Sequence, residues 1–142
     1  MTREDIQAEA RKWLHVKFVQ RGRSREGVDC IGLVVMVGRA FEVPYEDIAD
    51  YSLWPRQDRL LMKKAGEYLP YLPPSTPLPG TVGMFSERTL PCHVGIFSLK
   101  RGAVHLIHAR IDPGCVIEEP WQHVPRDRLR LIAVFGWPGL VL

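Results

Sequence analysis

The chain lacks any uninterrupted apolar run long enough to cross a bilayer, so no helical membrane span is expected. Cysteine is scarce: three residues at irregular spacing make no disulfide framework and predict a reducing compartment at synthesis, with at least one free thiol. Charge of one sign is also scarce. Nineteen Lys and Arg against sixteen Asp and Glu leave a net +3, too little for a dedicated nucleic-acid protein. The N-terminal residues Met1 to Ile6 are polar, with neither the apolar stretch nor the small-residue cleavage site of a secretion signal, so synthesis in the cytoplasm without an export signal is expected. No internal repeat or low-complexity segment is present. The basic residues that do cluster, Arg21, Arg23 and Arg25 and later Arg126 to Arg130, read as solvated loops and helix faces.

What is there suits one compact domain, residues 1–142, because a chain of 142 residues with 46% hydrophobic content can bury a core. Thr2 can cap a first helix in which Ile6, Ala10, Trp13 and Leu14 recur at helical spacing. From Cys30 to Phe41 the positions Cys30, Leu33, Val34, Val37 and Phe41 repeat at intervals of three and four and predict a buried helix. A third amphipathic helix is expected over Arg56 to Leu69, with Leu60, Leu61 and Leu69 inward. The proline-rich stretch from Pro70 to Gly80 reads as an extended connector. Beyond it the period becomes two, with strands expected at Thr81 to Phe85, Cys92 to Ser98, Val104 to Ala109, Cys115 to Glu119 and Leu129 to Phe135. Helices first and strands second predict an α+β fold, N-terminal helices packed on one side of a C-terminal antiparallel sheet.

Several residues could carry chemistry. Asp29 stands where it can accept from the backbone N–H groups of the first helical turn, and Cys30 follows at the helix start, where the dipole favours thiolate over thiol. The same features suit a small buried cysteine with no chemistry, so a partner base has to decide. In Cys92-His93-Val94-Gly95-Ile96-Phe97, alternation places His93, Gly95 and Phe97 on one sheet face, and Gly95 leaves room there for another backbone element such as the Cys30 helix. His105 and His108 are three apart and fall on opposite faces. If Ser98 pairs with Ala103 across a four-residue turn, His93 lies directly opposite His108, which becomes the candidate to orient it, while His105 is a satisfied or solvent-facing ring. A zinc site could be assembled on paper from Cys92, His93, His105, His108 and Cys115. Their opposed faces and the lack of a Cys-x-x-Cys motif speak against it, so no metal and no cofactor is expected.

Gly27-Val28-Asp29-Cys30-Ile31-Gly32-Leu33-Val34, Cys92-His93-Val94-Gly95-Ile96-Phe97 and Leu106-Ile107-His108-Ala109 resemble, in order and spacing, the three signature blocks of the NlpC-type cell-wall cysteine peptidases. The resemblance runs from about Trp13 to Ala109. It implies a reduced papain-like domain with Cys30 as nucleophile, His93 as base and His108 as third polar residue. It further implies hydrolysis of peptide bonds in peptidoglycan stem peptides. The C-terminal segment with Trp121, Arg126 to Arg130 and Phe135-Gly136-Trp137-Pro138 looks like the phage tail-associated branch, which implies tail-tip proteins as partners. Three positions depart from the family pattern. Phe18 stands where many members carry a tyrosine that assists near the oxyanion, so Gln20 and the Cys30 backbone N–H become the candidates for that task. Ile31 replaces a serine that helps hold the substrate amine, and Thr81 replaces a frequent aspartate. Two alternatives follow: a tail-assembly protein with this fold and little or no hydrolytic activity, or an amidase or acyl transferase acting on another substrate.

Overall fold

The computed structural model describes residues 1–44, 60–73, 77–87, 90–124 and 129–140, without the side chains of 60–62, 87 and 90–92. The element order is α1 (Arg3–Arg11), β1 (Arg23–Ser24), β2 (Gly27–Val28), α2 (Cys30–Ala40), α3 (Leu60–Tyr68), β3 (Tyr71–Leu72), β4 (Val82–Glu87), β5 (Leu90–Lys100), β6 (Ala103–Arg110), β7 (Cys115–Pro120) and β8 (Leu129–Phe135). Both expected N-caps are in place. Thr2 Oγ1 accepts from the Asp5 N–H while the Asp5 carboxylate accepts from the Thr2 N–H, a reciprocal capping box that starts α1. Asp29 Oδ1 accepts from the Gly32 N–H at 2.7 Å and starts α2.

Six strands form one antiparallel sheet in the order β3-β8-β4-β5-β6-β7, and β1 pairs with β2 as a separate two-residue ribbon. Helices packed on an antiparallel sheet make the α+β architecture that the order of periodicities predicts. Ile6 and Ala10 of α1 and Leu33 and Val37 of α2 are fully buried in one cluster with Val94, Ile96, Ile107 and Ala109 of β5 and β6. A second cluster joins Phe97 of β5 and Leu106 of β6, both of the other parity, with Phe85 of β4 and Val124 after the 3-10 turn, and Trp121 packs against it. The sheet therefore buries apolar residues on both faces, helices covering one and the 3-10 turn Trp121–His123 the other.

Two local features differ from expectation. The connector after Pro70 contributes a two-residue strand, β3, whose Tyr71 pairs with Phe135 and Leu72 with Val134. Of the expected third helix, residues 56–59 lie outside the described residues; Leu69, just past α3, is buried, and the side chains of Leu60 and Leu61 are not described. The arginines before Cys30 are not merely solvated. Arg23 pairs with Asp29 at 3.2 Å with its side chain only 14% exposed, and the Arg25 guanidinium lies 3.8 Å from the centre of the Trp13 ring. The basic residues 126–128 lie outside the described residues.

The hairpin joining β5 to β6 is tighter than a four-residue turn. Lys100 pairs with Ala103 and Ser98 with His105, leaving Arg101 and Gly102 as a two-residue loop in which both have positive φ, 52° and 77°. Such a primed turn matches the right-handed twist of the strands it joins. The pairing is thus offset by two residues from the one expected, and His93 and His108 are diagonal rather than directly opposed. An even offset keeps every side chain on its face, so the two rings still share one.

Candidate active site

The start of α2 is built by the loop folded over it. Asp29 is buried, and its carboxylate accepts from the Gly32 N–H on Oδ1, from the Arg21 N–H on Oδ2 at 2.7 Å and from Arg23 Nη1 on Oδ1. One acidic side chain thereby caps the helix and ties the 21–29 loop to it. Asp29 positions Cys30 in the fold, and the structure gives its carboxylate intramolecular work to do. Cys30, the first residue of α2, is half-buried, and the helix packs on the face of β5 and β6 formed by Val94, Ile96 and Ile107, whereas His93 and His108 alternate with these residues along the same strands.

On those strands His93 Nε2 lies 2.8 Å from His108 Nδ1, and the rings meet edge-on with centroids 5.0 Å apart. His93 is half-buried and His108 wholly buried. The space that Gly95 leaves on this face is filled differently from expectation. A side chain at Gly95 would meet Leu106 Cδ1 and the His108 Cβ, at 2.8 and 3.1 Å, so the glycine makes room for its strand neighbours and not for the backbone of α2. His105 falls on the other face, where its Nδ1 lies 3.0 Å from the Ala103 carbonyl, a satisfied ring.

The chain of contacts continues to a residue that sequence reasoning missed. His108 Nε2 lies 2.8 Å from Glu119 Oε2 on β7, and Arg110 Nη1 donates to the same oxygen at 3.3 Å. The available signal was the pair Glu118-Glu119 at the end of a sheet strand. Strand alternation must split such a pair between faces, and Glu118 goes to the helix side, accepting from Ser98 Oγ and Arg11.

The remaining candidates are spread around this centre. Phe18 is half-buried against the helix-side core; its N–H donates to the Gly114 carbonyl at 2.8 Å and its ring offers no donor. Gln20 is exposed, and Ile31 is half-buried against the same core. Cys115 is a half-buried thiol on β7, while the side chain of Cys92 is outside the described ones. Among the described residues no three of His, Cys, Asp and Glu are grouped to hold a metal ion.

Burial, reinforced by the positive charge potential of His108 and Arg110, holds His93 well below the ordinary 6.5. Burial also lowers His108, against the opposing pull of the Glu119 carboxylate. The His108 hydrogen bond, ahead of the contribution of Arg110, holds the Glu119 carboxyl below its usual 4.5. Both rings are thus neutral in the folded chain near pH 7, whereas the unfolded chain protonates them as pH falls through 6.5. The unfolded state then binds more protons, so acid opposes folding. The urea midpoint is expected to fall as pH is lowered from about 7.5 to about 5.5, before the carboxylates titrate. A midpoint that is flat or rising over that interval would contradict the assigned neutrality.

No family model and no curated protein matches the chain. Solved structures do. The chain is similar to the NlpC/p60 domain of the peptidoglycan hydrolase SagA at 18% identity and a TM-score of 0.67, over 96% of this chain and 99% of that one. It is similar to NlpC2 from Trichomonas vaginalis at 17% identity and a TM-score of 0.69, over 94% of this chain but 47% of that one. An N-acetylmuramoyl-L-alanine amidase from Bacteroides uniformis ATCC 8492 is similar at 16% identity and a TM-score of 0.65, over 94% and 97% of the two chains. The chain spans less than half of the Trichomonas protein and nearly all of the other two. The likeness is one of fold, and the fold is of the NlpC/p60 type.

Proposed function

We propose that this NlpC/p60-type domain is a cysteine hydrolase that cleaves amide bonds in peptidoglycan stem peptides, with Cys30 as nucleophile, His93 as general base and His108 as the group that orients it. The observation that carries the reading is the 2.8 Å contact between His93 Nε2 and His108 Nδ1, because it engages one ring nitrogen of His93 and leaves Nδ1 for a thiol. Cys30 contributes the other half: a thiol at the first turn of a capped helix, where the dipole and the N–H groups favour the thiolate.

In the proposed reaction His93 takes the Cys30 proton and the thiolate adds to the substrate carbonyl carbon. The C–N bond then breaks, the leaving amine takes the proton from His93, and a thioester remains on Cys30. His93 next deprotonates water, which attacks the thioester and frees the thiol. The Cys30 N–H at the helix start and the exposed Gln20 are the proposed oxyanion donors, since Phe18 offers none.

The substrate class is supported by the names of two structural neighbours, a peptidoglycan hydrolase and an N-acetylmuramoyl-L-alanine amidase. The test is mass-spectrometric analysis of products from purified peptidoglycan. New amine and carboxylate ends within stem peptides support the reading, free muramoyl carboxylates with intact stems point to the amidase bond, and no products at all refute hydrolysis. Phe18 and Ile31, neither with a polar group to offer substrate, favour a second reading as a tail-assembly protein without catalysis. Iodoacetamide labelling of Cys30 no faster than a free thiol would favour it over the enzyme.

A further inference from the structure

Glu119 reaches His108 because of the β6–β7 register. His108 pairs with Ile117 and Leu106 with Glu119, so Glu119 shares the His108 face one diagonal step away. Its Oε2 is 2.8 Å from His108 Nε2, and Arg110, on the same strand as His108, donates to that oxygen. An ionised carboxylate can only accept, so His108 must carry its proton on Nε2. A neutral His108 then has a bare Nδ1, which has to accept the 2.8 Å bond from His93. His93 must therefore be protonated at Nε2 and bare at Nδ1. Each bond dictates the polarity of the next, starting from the carboxylate.

We propose that Glu119, held by Arg110, is a positioning residue that sets the tautomer of both His108 and His93 and so decides which nitrogen of His93 is basic. Without the carboxylate, His108 can carry its proton on Nδ1. The bond between the rings would then reverse, with His93 Nε2 as acceptor and its proton on Nδ1, the atom that has to receive a proton from Cys30. With Glu119 present, nothing reverses when His93 accepts that proton: the imidazolium keeps donating through Nε2 to His108, which keeps donating to Glu119. The catalytic consequence rests on the hydrolase reading above; the tautomers do not.

The experiment is long-range 15N–1H NMR of the full chain labelled at histidine nitrogen, recorded near pH 8, on wild type, Glu119→Leu and Glu119→Gln. Expected are Nε2–H tautomers at His93 and His108 in wild type, appearance of the Nδ1–H form in Glu119→Leu, and return of the wild-type pattern in Glu119→Gln, which retains an oxygen acceptor. On peptidoglycan, kcat of Glu119→Leu should fall by about 10-fold or more with KM nearly unchanged, and Glu119→Gln should recover most of it. A neutral wild-type His93 with its proton on Nδ1 and none on Nε2, or unchanged tautomers in Glu119→Leu, overturns the proposal. Should Glu119→Leu fail to fold, Glu119→Ala, which also removes the acceptor, takes its place. If the tautomers respond as expected while wild type releases no fragments, the tautomer lock stands and the hydrolase reading falls.

Discussion

Replacing Cys30 with alanine is expected to lower the rate of fragment release from peptidoglycan by at least about 10³-fold, because the proposed mechanism has no second nucleophile to form the thioester. The substitution should leave the fold almost untouched. Cys30 is half-buried at the helix start, so removing one sulfur atom there forfeits little packing, roughly 1 kcal/mol or less. Its backbone stays within a helix held by the Asp29 cap. An unchanged far-UV spectrum and urea midpoint together with lost activity would separate chemistry from folding. His93→Ala should fall to a similar residual rate, and the double variant no further, since nucleophile and base act as one unit. Wild-type activity in Cys30→Ala would end the nucleophile assignment.

Gly32→Ala should damage stability strongly for so small a change, by about 3 kcal/mol. A side-chain carbon at Gly32 would overlap the Gly22 carbonyl oxygen and press on Arg23 Nη1 and Asp29 Oδ1, at 2.9 and 3.1 Å. The guanidinium can move. The carbonyl cannot, because the loop carrying it is fixed by the Gly22 N–H on the Val19 carbonyl and by the Arg21 N–H on Asp29. Either the loop lifts off α2 or the helix loses its first turn, and both displace Cys30. Urea unfolding reads the loss directly, and a change under about 0.5 kcal/mol would mean that the loop yields.

Glycine at position 32 illustrates where sequence reasoning stops. The signature block around Cys30 includes it, but its reason is a loop carbonyl ten residues earlier in the chain, and no periodicity reports such a contact. Asp29 was legible as a helix cap because capping is a local bond within three residues. Its bonds to Arg21 and Arg23 were not, since they depend on how the β1–β2 ribbon folds back. The meeting of His93 with His108 followed from alternation, which survives an error of two in register. The error itself came from reading Leu99 and Lys100 as turn, where the primed geometry at Arg101-Gly102 lets both stay in the strands.

The sequence by itself determined the caps at Thr2 and Asp29, the change of period after Pro70, the α+β class and the face that each histidine occupies. These rest on bonds between near neighbours or on parity along one strand, both written in consecutive residues. Only the tertiary structure decided which strand lies beside which, that Glu119 and not Glu118 reaches His108, and that Gly95 makes room for its neighbours in the sheet. Those outcomes depend on register between segments and on the packing of loops, where a shift of one residue exchanges the carboxylate for its neighbour on the opposite face.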